Sequence, residues 1–454
     1  MAVSLSRQQA HAPRVQASNA VAGEPSSRRS VAVVGAGWAG LAAAVGLTQS
    51  GLSVTILEMA PVPGGRARTV GDDAAHGDNG QHIMIGAYRS TLWLLKQVGV
   101  QPDEVLLRTP LALQDTQGQG LRLREGPAAW EFTRAVLAWR QWPLAARLTL
   151  LRRCAVWAAS GFRCEPALTV QELCAGLPPA LSVELLEPLC VAALNTPAHE
   201  ASAEVFLRVI RDALLGGRGC ADLLLPRVPL GSLFPEAAQR WLESRGSRLL
   251  CRTRARSLDR HGAGWAVDGQ AFDAVVLACT ASEAARLAQP HVPAWATLAQ
   301  GLRHQSILTS YVHCAGARFD HHPMARLDDG PAQFAFDHGW LSESPGVFAF
   351  VASAADAWMT EGLRAAESAV LTQARSLLRT CGALDSPRIL RSVCERKATF
   401  ACAAGLQRPP AQVAPGLWAA ADYVAGPYPA TLETAVRSGL AAAHAIVESD
   451  CDVH

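Results

Sequence analysis

Neither charge dominates this chain. Its 41 Lys and Arg stand against 39 Asp and Glu, a net of +2, so nothing marks it as a general nucleic-acid binder. Its 12 cysteines form no C-x-x-C pair, which leaves neither a zinc ribbon nor a dithiol motif and no pattern for a bound metal. Cys154, Cys164 and Cys174 are evenly spaced without visible chemistry. The first 30 residues lack the apolar core of a secretory signal. Residues 1–29 are therefore expected to be a polar, disordered tail whose early, acid-poor part slightly resembles a transit peptide. A reducing cytoplasm, with thiols buried as small hydrophobes, is the simplest setting. Only one dinucleotide fingerprint is visible, so no built-in NAD(P)H domain is expected.

Half of the 454 residues are apolar, enough for a large core and, at this length, two domains. The most informative stretch is Val31 to Gly40. Val31 to Val34 reads as a buried parallel strand, followed by Gly35, Gly37 and Gly40 at G-x-G-x-x-G spacing. Gly35 permits the sharp turn, Gly37 lets backbone approach a pyrophosphate, and Gly40 seats the following helix against the sheet. The N–H groups of Trp38, Ala39 and Gly40, at the helix start, then face phosphate charge. Residues 53–57 read as a second strand ending at Glu58 and Met59, where a carboxylate can hold a ribose diol. Strand, glycines, helix, strand and acid in register make a nucleotide site, whereas a lone glycine triplet would mean only a tight turn.

Gly64, Gly65, Arg66 and Arg68 follow at once. The glycines allow a second close approach, and the arginines bring charge to a phosphate or an anionic ring. Glu58 with Gly64-Gly65-Arg66 resembles the FAD-binding start of the flavin amine oxidase and phytoene desaturase superfamily. The string Asp78-Asn79-Gly80-Gln81-His82, then Gly86 to Arg89, closely resembles the bacterial hydroxysqualene dehydroxylases, squalene-associated FAD enzymes of hopanoid synthesis. Near the C-terminus, Asp422 ends a strand, and Thr431 and Leu432 open a helix resembling the superfamily's closing element, although Ala421 stands where that element usually has glycine. Asp422 suits a ribityl hydroxyl, and the helix start at Thr431 and Leu432 suits negative charge on a reduced flavin.

Several placements follow. Gln81 is set to hydrogen-bond a flavin edge, with Gly80 and His82 beside it. His82 or Asp78 is the first candidate proton donor, and Asp337 or His338, in a stretch whose ordinary reading is a surface hairpin turn, the second. The adenine-side backbone contact of the superfamily maps to Ala255 and Arg256, and residues 195–197 are placed against the pocket. Residues 128–163 interleave Trp130, Trp139, Trp142 and Trp157 with arginines, Glu131 being nearly the only acid. No apolar run there reaches the about 20 residues of a membrane span, but Trp and Arg together suit a headgroup boundary. Ordinary core helices are the alternative.

The expected fold is α/β: a doubly wound, Rossmann-like FAD domain from residues 30–105, 223–300 and 391–454, with a second α+β substrate domain from 106–222 (helical, facing a membrane) and 301–390 (mixed sheet). The resemblance implies reductive dehydroxylation of hydroxysqualene, a C30 isoprenoid, to squalene with an external electron donor, on the inner face of the cell membrane. An FAD-dependent desaturase or amine oxidase, and a non-catalytic lipid-binding flavoprotein, are the alternatives. An amine oxidase would need an aromatic cage, and tyrosine is scarce, with only Tyr423 and Tyr428 late in the chain.

Overall fold

In the computed structural model, residues 29–71 and 77–451 are described; the tail expected over residues 1–29 lies outside them except for Arg29. A six-stranded sheet organises the nucleotide side, in the order Gln412–Ala414, Leu417–Ala419, Ala274–Leu277, Ser30–Val34, Ser53–Leu57, Arg248–Leu250. Its four pairings from Leu417–Ala419 to Arg248–Leu250 run parallel, with Val33 beside both Val276 and Ile56; only the edge strand 412–414 is antiparallel. The three central strands, Ala274–Leu277, Ser30–Val34 and Ser53–Leu57, are rich in β-branched residues and buried, as a parallel sheet between helices requires. Three far-separated segments thus meet in one sheet.

The first helix, Trp38–Gln49, packs along the closing helix, Leu432–Cys451. A Cβ on Gly439 would lie 2.1 Å from the Ala39 carbonyl oxygen, so the helices touch backbone to backbone there. That contact brings the starts of both helices to the same end of the sheet.

A second, antiparallel sheet has the order Met324–Arg326, Phe334–Asp337, Val347–Ser353, His304–His313, Arg388–Phe400. Helix Leu363–Arg379 covers one face through Val370, Ala374 and Leu378. A short helix, Asp356–Thr360, precedes it, and the two are separated at Gly362, whose φ of 93° no helix tolerates. A helical layer, Ala128–Ala138, Leu144–Ala159, Glu187–Leu194 and Ala203–Leu215, lies over the other side of a shared cavity. A π-helical turn at Ser182–Leu186 feeds Glu187–Leu194 and turns Leu185, Leu186 and Leu189 to that cavity.

Within this layer the tryptophans part company. Trp139 stacks on Trp142 at 3.9 Å, Trp142 donates from Nε1 to Glu184, and Trp157 is buried in the cavity wall. Only Trp130 is exposed. The expectation that all four mark a headgroup boundary is corrected for three of them: they find apolar or carboxylate partners inside the protein. Among the described residues no helix is long and apolar enough to cross a membrane.

Candidate active site

One cavity of about 800 Å³ runs from the glycine turn to the helical layer. At the nucleotide end Gly35 takes φ 107°, and a Cβ there would sit 2.5 Å from the Ala278 carbonyl oxygen. Gly37 is different: its Cβ position is open, the nearest neighbour being Gly65 Cα at 3.9 Å. Gly37 also offers no side chain to cap the helix, so the N–H groups of the first turn, which no residue of the helix satisfies, are left for a ligand. The second glycine loop lies directly on the first. Gly64 N–H donates to the Ala36 carbonyl at 2.8 Å, and Trp38 Nε1 reaches the Ala67 carbonyl.

Glu58 is buried at the end of its strand and accepts from Ala36 N–H and Ala60 N–H, each at 2.7 Å. Its carboxylate is therefore fixed on the cavity wall with lone pairs remaining for hydroxyl donors. Met59, Thr253, Arg254, Ala255 and Glu283 continue that wall. Ala255 is on it, whereas Arg256 turns away and donates its N–H to Asp268.

Further along, Arg66 pairs with Asp422 at 2.6 Å and donates to the Ala398 carbonyl at 2.6 Å. Burial works against its charge, but Asp422 and, more weakly, Glu395 outweigh it and raise its pKa. Arg68 folds back onto the Gly65 carbonyl. The closing helix begins here, with Thr431 and Leu432 on the cavity wall and Ala421 N–H held by Ser438 Oγ at 3.1 Å. Alanine at 421 is thus accommodated. The cradle suits a dinucleotide: an open glycine step over unsatisfied N–H groups, a fixed carboxylate for a diol, a cation–carboxylate pair and a second helix start.

The candidate acids separate into two kinds. Gly80, at φ 90°, Gln81 and His82 lie on the cavity wall. His82 Nδ1 bonds the Gly80 carbonyl at 3.1 Å; burial, opposed by that bond and assisted by Arg66, lowers its pKa. Gln81 Oε1 meets His338 Nε2 at 3.0 Å, so Gln81, His82 and His338 are brought together around a small adjoining void. Asp78 borders that void but not the main cavity, accepting from Thr69 Oγ1 at 2.7 Å and Leu230 N–H at 3.0 Å; burial raises its pKa against those bonds. Asp337 borders neither. It accepts from Phe319 N–H and Gly339 N–H at 2.8 Å, capping helix His338–Leu341, and burial likewise raises its pKa.

Two wall residues, Tyr88 and Glu433, had no assigned role in the sequence. Tyr88 bonds Thr431, and burial pushes its phenol up to about 12. Glu433 accepts from Ser90 N–H, Thr91 N–H and Thr91 Oγ1, capping helix Arg89–Gln97 from the other end of the chain. That helix has no acid in its own first turn, the one local hint that its N–H groups needed a distant acceptor. Asn195, in the left-handed region at φ 47°, donates to Thr399 and accepts from Ala354 N–H, confirming nothing catalytic but fixing the wall where residues 195–197 were placed. The far lobe is apolar: Leu113, Phe132, Leu150, Trp157, Phe334 and Phe336 are among its residues.

Comparison with known proteins agrees with this geometry. Hydroxysqualene dehydroxylase of Zymomonas mobilis is 28% identical over 439 residues, 90% of this chain and 97% of the relative. That of Sinorhizobium fredii is 28% identical over 430 residues, 91% and 97%. A solved oxidoreductase from Methanosarcina mazei superposes with a TM-score of 0.70 at 14% identity, covering 92% of this chain and all of that one. The flavin containing amine oxidoreductase family matches residues 38–447. The chain belongs to that family and is an FAD-dependent oxidoreductase on a Rossmann-like fold with a second α+β domain.

Proposed function

We propose that this protein removes the hydroxyl group of hydroxysqualene, giving squalene and water while reduced FAD becomes FAD. The observation that carries this reading is the single cavity, a dinucleotide cradle at one end and an apolar lobe at the other. The similarity over nine-tenths of the chain to proteins named hydroxysqualene dehydroxylase supports it. When bound, the reduced flavin supplies a hydride equivalent.

The chain's own residues have three tasks. Glu58, the first-turn N–H groups after Gly37 and the Arg66–Asp422 pair hold the cofactor. The walls built by Phe132, Leu150, Trp157, Phe334 and Phe336 take the isoprenoid and keep water from the carbon that loses its hydroxyl. That hydroxyl is allylic, so a proton delivered to its oxygen releases water and leaves a delocalised cation. We assign the proton to His82, the candidate acid on the main cavity wall, with Gln81 and His338 beside it; burial lowers its pKa, so the resting ring is neutral and the imidazolium, once formed, is a strong acid toward the hydroxyl. Asp78 and Asp337 position backbone instead. The electrons that reload the cofactor come from a donor outside the chain. We place the activity at the cytoplasmic face of the cell membrane, a reading supported by the apolarity of that substrate.

Anaerobic photoreduction of the holoenzyme followed by hydroxysqualene tests the assignment. Return of the oxidised flavin spectrum with squalene formed in equal amount supports it. Bleaching of the oxidised enzyme by squalene or phytoene would instead make it a desaturase, and silence toward all these lipids would leave only lipid binding.

A further inference from the structure

The helix Leu144–Ala159 is apolar on both sides. Its inner arc, Ala146, Leu150, Cys154 and Trp157, is turned inward, the last three lining the cavity. At 100° per residue the opposite arc carries Leu144, Leu148, Arg152, Ala155, Val156 and Ala159, all exposed. Leu144, Leu148 and Val156 are 56%, 51% and 55% exposed, and Arg152 is the one charge among the six. A helix at a water-facing surface normally presents charge outward; one that is apolar all round is covered by something. The packed neighbour, Ala128–Ala138, adds Trp130 and Leu137, seven residues apart on one face and 66% and 42% exposed.

Along the two helices themselves the exposed charge has one sign. Residues 128–163 hold six arginines and a single acid, Glu131, which is buried and paired with Arg134 at 2.7 Å. Arg140 and Arg152 are exposed. Apolar side chains projecting between arginines, with no exposed acid on either helix, match an anionic bilayer surface: acyl chains for the leucines, phosphates for the guanidiniums.

We propose that the outer face of helices 128–138 and 144–159 docks on an anionic lipid bilayer, through Trp130, Leu137, Leu144, Leu148 and Val156 with Arg140 and Arg152 at the headgroups. The same helix is then the wall between bilayer and cavity, so an isoprenoid passes from membrane to site behind one layer of protein. This use of the face rests on the isoprenoid reading of the cavity; the docking itself does not.

Flotation of the FAD-loaded protein with phosphatidylcholine vesicles, with and without about 30 mol% phosphatidylglycerol, is the test. The anionic vesicles bind the wild type; the neutral ones bind it far less. The triple variant Leu144→Gln, Leu148→Gln, Val156→Gln loses at least tenfold in binding to the anionic vesicles. Arg140→Gln and Arg152→Gln each lose about fivefold, and only toward those vesicles. FAD content, melting temperature and turnover of detergent-dispersed hydroxysqualene stay at wild-type values in all variants, which separates docking from folding and catalysis. Wild-type protein that ignores both vesicles, variants that float as well as wild type, or a triple variant whose only change is conversion of a dimer to a monomer would each overturn the proposal. Vesicle binding as expected, without squalene formation in detergent, would leave the docking face standing and remove the substrate assignment.

Discussion

Glu58→Gln is the sharpest perturbation of the cofactor cradle, because it changes charge without changing size. The carboxylate accepts two backbone N–H groups at 2.7 Å, one from Ala36 between the glycines and one from Ala60 beyond the strand. Glutamine keeps one acceptor. Its amide NH₂ must face either the second backbone N–H, donor against donor, or the ribose hydroxyls. A hydrogen bond to a charged group contributes about 1.5–3 kcal/mol. Loss of one such bond to FAD therefore weakens binding by about 10- to 150-fold. The orphaned N–H, buried beside Glu58, costs the apoprotein about 1–3 kcal/mol as well. Titrating apoprotein with FAD by flavin fluorescence measures the first effect, and thermal unfolding without FAD measures the second. An FAD Kd within threefold of wild type would refute the role given to Glu58, whatever happened to stability.

Other consequences follow from the same geometry. Asp78→Ala and Asp337→Ala each orphan a buried backbone N–H and should lower stability by about 1–3 kcal/mol, while holoenzyme kcat stays within about twofold; a loss of 100-fold or more in stable protein would make either one the acid. Gly439→Ala forces a Cβ to 2.1 Å from the Ala39 carbonyl, so the two helices part and stability falls by about 1–3 kcal/mol, read by melting with and without FAD. His82 has its folded pKa lowered, so the unfolded chain binds the extra proton first. Its contribution to stability is complete above the ordinary imidazole value of 6.5 and is lost as pH falls from there through the lowered folded value; His304 and His322 share the sign. Asp78 and Asp337, raised above 3.8, act oppositely and at lower pH. In His82→Gln the fall in melting temperature on acidification below 6.5 should be shallower than in wild type, and an unchanged slope would contradict the burial of a neutral imidazole.

What could be read from sequence was what the chain encodes locally. The glycine turn, its helix and Glu58 lie within 24 residues, from Gly35 to Glu58, and fixed spacing is enough to specify them. Asp422 and the closing helix were legible only through resemblance, because the Arg66–Asp422 pair joins residues 356 positions apart. Burial was the harder matter. Trp142 and Trp130 look alike in sequence, yet Glu184 takes the indole N–H of one and nothing covers the other. The outward leucines of helix 144–159 share their helix with inward ones, and only the cavity tells the faces apart. For Asp337 the sign was local after all: an acid two residues before a glycine at a helix start is a cap, and it caps Gly339.

Deuterium labelling of the product tests the central claim most directly. Holoenzyme photoreduced anaerobically in D₂O carries solvent deuterium on its flavin nitrogens; it is given hydroxysqualene, and the extracted hydrocarbon is weighed by mass spectrometry. The account predicts squalene bearing one deuterium, at the carbon that held the hydroxyl, formed in proportion to the flavin reoxidised. Unlabelled squalene, or flavin that stays reduced with the alcohol recovered intact, would contradict it.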